Sequence, residues 1–181
     1  MRLVTLVIAL LALLHQRGAA QDRPALNLNT HSRVTIDAPA AAIWPHIVGP
    51  RAWKQGLELR RHGSPSGLGE TFAAFAPGDP ESIAFFVENV ELLPNARRTI
   101  KLHTPDGALI GFATWTLVET GGHTVVGYDV YSETLLSDEQ RRALTREALA
   151  EQEKASSASS QERFDAELRA LKRLVETGRS R

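Results

Sequence analysis

The stretch Ser32-Arg33-Val34-Thr35-Ile36-Asp37-Ala38-Pro39, followed directly by Ala40-Ala41-Ala42-Ile43-Trp44, decides the fold of this 181-residue chain. Polar and apolar residues alternate as far as Asp37, which places Val34 and Ile36 on one face of a half-buried strand. Asp37 and Pro39 then supply a helix start, a capping carboxylate and an early proline, ahead of the apolar group Ala41, Ala42, Ile43, Trp44, Ile47 and Val48. Pro45 lies inside that short helix and takes away one intrahelical hydrogen bond, so a kink or a split into two turns is expected. Gly49-Pro50 ends the segment, and Trp53 begins a second short turn.

Downstream of Gly56, segments rich in β-branched and aromatic residues occupy Leu57–His62, Glu70–Ala76, Ser82–Leu93 and Arg97–His103. Gly63-Ser64-Pro65-Ser66-Gly67, Pro77-Gly78-Asp79-Pro80, Pro94-Asn95 and Thr104-Pro105-Asp106-Gly107 close these four segments in turn, each with turn chemistry. Ala108–Glu119 and His123–Glu133 complete the series around Gly121-Gly122, a dipeptide suited to a tight hairpin with positive φ. Consecutive hairpins give an antiparallel sheet of about seven strands. The remainder is helical in pattern. It opens on the capping box Ser137-Asp138-Glu139-Gln140, runs to about Lys154, and is interrupted at Ser156 to Ser160. A last helix comes after the interruption, with a box at Ser159 and Glu162, an apolar stripe of Phe164, Leu168, Leu171 and Val175, and Gly178 as its stop.

Upstream, residues 21–31 read as an extended, polar lead-in, and residues 1–20 as a secretory signal. Arg2 precedes a nearly unbroken apolar run from Leu3 to Leu14, and Gly18, Ala19 and Ala20 supply small residues for cleavage. Those 12 residues are too few to span a bilayer, which takes about 20. Cleavage after Ala20 leaves 19 basic and 21 acidic residues. A nearly neutral chain has no net field towards nucleic acid or an anionic membrane, so neither is an expected partner. The absence of cysteine excludes disulfides, thiol nucleophiles and a lipidated cysteine. Residues 32–178 are expected to form a single domain held together by its core.

Strand, short helices, six-stranded meander and long C-terminal helix match the element order of the helix-grip fold. In Val34-Thr35-Ile36-Asp37-Ala38-Pro39 with Ile43-Trp44, the chain resembles the START-like or SRPBCC superfamily, in particular its polyketide cyclase/dehydrase-like branch. Weaker echoes are Trp53, Gly67-Leu68-Gly69-Glu70, Val90 through Pro94, Trp115-Thr116-Leu117 and Gly121-Gly122-His123-Thr124. The resemblance implies an α+β architecture in which a curved antiparallel sheet wraps the last helix, with a cavity between them for apolar molecules. It also implies two functions, a carrier of a small apolar or amphipathic ligand or a cyclase/dehydratase-like enzyme, since fold alone does not assign function. The extra helical stretch Asp138–Lys154 and Pro45 depart from the family pattern.

Trp115, Leu117, Val126, Tyr128 and Val130 fall on alternate positions of the last two strands, where they can share the face that meets Phe164 and Leu168. These seven are the candidate ligand-binding residues, and each is either pocket wall or core filler. Gly111 and Ala113 beside them leave open space or mark a bend. His46, His62, His103 and His123 lack the close pairing of a metal site, so neither a metal nor another cofactor is expected. Asp129 should lie on the face opposite Tyr128, while Glu88 stands in a strand that is apolar on both faces. Arg60-Arg61, Arg97-Arg98 and Lys101 could hold an anionic group at a rim, although the solvated face is the usual place for such residues. No phosphate loop, Ser-His-Asp order or nucleophile elbow is present, and no residue is assigned a catalytic role.

Overall fold

The computed structural model describes residues 25–48, 58–62, 67–75, 79 and 81–178. Seven strands form one antiparallel sheet: β1 (Ala25–Ile36), β2 (Glu58–His62), β3 (Thr71–Phe75), β4 (Ile83–Leu93), β5 (Arg97–His103), β6 (Leu109–Thr120) and β7 (His123–Leu135). Their order across the sheet is β1-β7-β6-β5-β4-β3-β2, so β2 to β7 are a meander and β1 closes against the last strand. The helices are α1 (Ala40–Val48), α2 (Asp138–Ala143) and α3 (Arg146–Gly178). The α+β architecture is therefore the expected one. The signal segment, the turn around Trp53 and most of the loops at 63–67 and 76–80 lie outside the described residues.

The segment expected as a lead-in is part of the sheet. β1 starts at Ala25, and Ala25 pairs with Leu135 at the far end of β7. Its residues Asn27, Asn29 and His31 are polar because they occupy the outer face, while Leu26, Leu28 and Thr30 alternate inward. At the opposite end, Gly121 and Gly122 have φ of 60° and 84°, and Thr120 pairs with His123 across them, the two-residue hairpin the dipeptide predicts. Irregular register between Ala74 and Phe75 and between Asn89 and Glu91 bends the sheet across β3 to β5.

α1 begins at Ala40, later than Asp37 and Pro39 suggested, because the acceptor for its first free amide comes from elsewhere. The Ala40 N–H donates to Oε2 of Glu119 at 2.8 Å, whereas the Asp37 carboxylate lies 3.2 Å from the His123 ring. Pro45 is accommodated inside this helix. α2 carries the expected capping box, with Gln140 N–H donating to Ser137 Oγ and the Gln140 side chain accepting from the Ser137 amide. The expected helix over Asp138–Lys154 does not form as one element: it stops at Ala143, and Thr145 starts α3 by accepting the Ala148 N–H on its hydroxyl.

α3 is continuous over 33 residues, about 50 Å, and Ser156 to Ser160 do not interrupt it. The box expected at Ser159 and Glu162 thus falls in mid-helix. Serine costs little in a helix when tertiary contacts hold the segment, and here they do. Gln161 pairs with the free edge of β1 in both directions, accepting the His31 N–H at 3.0 Å and donating to the His31 carbonyl at 3.1 Å. Glu153 accepts the Asn27 N–H, Glu176 accepts the Asp37 N–H, and Lys172 donates to the Thr35 carbonyl. The helix covers the sheet edge that would otherwise offer unpaired backbone to another chain. Its contacts fall chiefly on β1, with only a few on β7 and α1. No helix of the described residues is long and apolar enough to cross a membrane.

Candidate ligand-binding site

Strand register sorts the inner face of the sheet into tiers that run across it. The first is Ser32, Tyr128, Trp115, Arg98 and Leu92, the second Thr30, Val130, Ala113, Ile100 and Asn89, and the third Leu28, Ser132, Gly111, Leu102, Val87 and Phe72. Phe85 lies one step beyond the third tier. Burial is incomplete along the third tier, where Ser132, Gly111 and Val87 are buried but Leu28, Leu102 and Phe72 are not.

The first tier is sealed. Trp115 has 0% of its surface exposed and stacks on Tyr128 with centroids 4.4 Å apart, and Phe164 meets Tyr128 edge-on at 5.1 Å. Leu117, Val126, Val130 and Leu168 complete the group, so all seven sequence-chosen residues lie in one buried cluster with Ile43 and Ile47 of α1. Alternation brought them to the right face, and packing makes them neighbours of one another. A side chain with no accessible surface touches only protein, which makes Trp115 and its stacked partner the floor beneath any ligand.

The third tier differs. Leu28, Phe72, Phe85 and Leu102 point inward and pack against the core, yet they are only half-buried. Strands flank Leu102 and Phe72 on both sides and Leu28 and Phe85 on one, and α3 lies along β1 rather than over β3 to β5. The surface they keep therefore lies on the inner face of the sheet, where α3 does not cover β3 to β5. Periodicity identified the face, but not how far along it the helix and α1 seal the sheet.

Gly111 marks a close approach of two strands and not a vacancy in the wall. A Cβ built there would come within 2.6 Å of Ser132 Cβ and 2.7 Å of the Tyr131 carbonyl oxygen, so β6 and β7 approach too closely for any side chain.

A polar network edges this surface, and the sequence pattern placed its main member on the wrong face. Arg98 is only 2% exposed. Its Nε donates to Asn89 Oδ1 at 2.8 Å and its Nη1 to the Ile47 carbonyl at 2.5 Å, while the guanidinium lies 5.6 Å from the Trp115 ring. Asn89 in turn donates to the Gly67 carbonyl and to Glu70 Oε2. The pair Arg97-Arg98 reads as solvated, but strand residues alternate, so one of two adjacent arginines must face inward; this one does so because α1 ends at a carbonyl that needs a donor.

Of the remaining candidates, the register sets Asp129, Glu88 and His103 on the other face of the sheet and Arg61 opposite Phe72 of the third tier. Asp129 is on the outer face as alternation requires, 3.0 Å from the His31 ring and 3.4 Å from Arg33. Glu88 pairs with Lys101 and Thr71 on that outer face. His103 packs against Phe86 there, and exposed Arg60 covers the Phe75 ring. Among the described residues, no cluster of histidine and carboxylate side chains could hold a metal ion.

No known family model matches the chain, and no curated protein does. Solved structures do. Truncated norcoclaurine synthase from Thalictrum flavum is 16% identical with a TM-score of 0.53, the match covering 83% of this chain and 94% of that one. A protein of unknown function from Staphylococcus aureus is 10% identical at a TM-score of 0.63, covering 86% and 98%. The di-domain ARO/CYC protein StfQ of the steffimycin biosynthetic pathway is 12% identical at a TM-score of 0.65, covering 86% of this chain and 53% of that two-domain chain. With the strand order, the β1 closure and the gripped helix found here, these likenesses give the chain the helix-grip fold.

Proposed function

We propose that this chain binds or carries a small apolar or amphipathic ligand between the sheet and α3, outside the cytoplasm and without catalysing a reaction. The reading rests on one observation: Leu28, Phe72, Phe85 and Leu102 face inward and are left half-buried by the helices. Apolar side chains that keep accessible surface on a concave face gain by burial against a ligand, at about 25 cal/mol for each Å² removed from water. That StfQ belongs to a biosynthetic pathway is compatible with a concavity of this kind. A proton-moving role has less behind it, since Asp129, Glu88, His103 and His123 stand away from these four residues. Export rests on the Leu3–Leu14 run with Gly18, Ala19 and Ala20.

Native mass spectrometry of the protein purified from its own cell envelope tests the binding reading. A reproducible small-molecule adduct, lost on denaturation, is the expected result. Repeated recovery of the bare polypeptide mass would overturn it. The same sample tests export, because cleavage after Ala20 leaves Gln21 at the N-terminus, whereas an intact Met1 contradicts it.

A further inference from the structure

The outer face of the sheet is polar across its middle, where His31, Asp129, Thr114 and Thr99 follow one another from β1 to β5. Nearer the start of β6 it changes character. Phe112 pairs there with Tyr131, Ile110 stands two residues along β6, and the three are 42%, 43% and 41% exposed. One apolar side chain on a surface is ordinary, but three at adjacent positions make a patch of the kind that marks an interaction. The helices pack on the other face, with Ile43 and Ile47 of α1 and Phe164 of α3 in the core beside Tyr128. Val118 and Val125 are exposed too, but Thr114, Thr116 and Asp129 separate them from this patch. Tyr131 donates its hydroxyl to Glu133, which holds the ring along β7 and lowers the rotamer entropy lost when it is covered.

Charge is distributed unevenly about the patch. The register aligns Glu133 with Ile110 and His103, and Tyr131 with Phe112 and Lys101, so an acid flanks the patch on β7 and two basic residues flank it on β5. In a two-fold pair a surface faces itself, and residue i meets j as j meets i. An axis parallel to β6, midway between two facing sheets, exchanges the β7 side with the β5 side. It sets Phe112 and Ile110 against their own copies and brings Glu133 beside His103 and Lys101 of the second copy. Glu88, next to Lys101 on β4, then comes opposite Asn29, next to Tyr131 on β1, and not opposite another carboxylate. A lipid surface would make no use of that arrangement of charge.

We propose that this patch of β5, β6 and β7 is the contact of a homodimer, two copies of the chain packed sheet to sheet about a two-fold axis along β6. Phe112 and Ile110 form its centre, and Glu133 with Lys101 and His103 of the second copy close it on both sides. The inner face and its half-buried tier stay open in each copy, so this contact stands independently of the ligand reading. A few residues on each of three strands make a small interface, which dissociates in the micromolar range.

Sedimentation equilibrium of the purified chain over a concentration series tests the proposal, and a reversible monomer–dimer equilibrium is the expected result. Phe112→Thr keeps a strand-forming residue and removes an aromatic contact from both copies at once. It should raise the dissociation constant about a hundredfold while the monomer melts as before. Lys101→Glu and Glu133→Lys should each raise it about tenfold, since every contact occurs twice. The double variant restores opposite charges across the axis and should recover most of that loss. Should Phe112→Thr fail to fold, the charge exchange decides alone. A chain that stays monomeric throughout the series overturns the proposal, and flotation with phosphatidylcholine vesicles that depends on Phe112 would give the face to a lipid surface instead. A dimer indifferent to Phe112→Thr and to both charge variants has its contact elsewhere, and single losses that the double variant does not recover overturn the two-fold arrangement.

Discussion

Replacing Arg98 with methionine keeps the length of the side chain and removes its donors, leaving Asn89 Oδ1 and the Ile47 carbonyl short of a partner in the interior. Hydrogen bonds from a charged group are worth about 1.5–3 kcal/mol each, so a loss of roughly 2–4 kcal/mol in urea unfolding is expected. Arg97→Met, at the solvated neighbour, should cost well under 1 kcal/mol. Equal losses would mean that the buried network does not anchor α1. Asp106 supplies a pH-dependent case. Its carboxylate accepts the Thr104 hydroxyl at 2.6 Å and the Ala108 N–H at 3.0 Å. Together these hold its pKa below the usual carboxylate value, with the threonine bond the larger cause. A folded pKa below the unfolded one contributes stability above the unfolded value, lost as pH falls through the folded one. An NMR titration should therefore find Asp106 still ionised where a free aspartate is half-protonated, near pH 3.9, and Thr104→Val should move its midpoint upward. A midpoint insensitive to that change would exclude the threonine as the cause.

At the scale of elements, α3 separates a sequence expectation from its outcome. Five residues of serine and alanine, Ser156 to Ser160, look like a break because their side chains carry no stripe for the core. The helix passes through them because Glu153 and Gln161 on either side are tied to β1. A proline at exposed Ser159 then removes an interior hydrogen bond without removing any packing, at about 3 kcal/mol or more. A break would tolerate the same change at little cost, so chemical denaturation of Ser159→Pro distinguishes the two. The edge of β1 obeys the same logic. Leu26 and Leu28 alternate with Asn27 and Asn29, a strand pattern, but polarity on the outer face made the segment look like a lead-in.

For the molecule as a whole, the sealed and unsealed parts of the inner face predict different consequences of substitution. Leu102→Trp adds bulk where the surface is still accessible, so the fold should keep most of its stability while the ligand loses room. The rise in melting temperature produced by the ligand recovered from the native protein should fall to near zero, since that rise comes from preferential binding to the folded state. Trp115→Ala acts on the floor and should cost about 3–5 kcal/mol with or without ligand. If Leu102→Trp binds as the parent does, the half-buried tier does not receive the ligand. If Trp115→Ala is neutral, the stack of Trp115, Tyr128 and Phe164 does not hold the helix to the sheet.

Strand alternation, turn chemistry and one apolar helical stripe were enough to give an antiparallel sheet of about seven strands and the buried face of α3 from the sequence. Each of these depends on periodicity and on residues with narrow backbone preferences, which act over a few positions. Tyr128, Trp115 and Phe164 were likewise assignable to a common face. What only the tertiary structure decided is which part of that face is closed. Arg98 turned inward because α1 happens to end above it, Gly111 marks a close approach because Ser132 and Tyr131 of β7 lie against it, and Leu102 stays accessible because α3 lies along β1. These outcomes depend on how far one element lies from another across the sheet, a distance that no pattern within a single segment encodes.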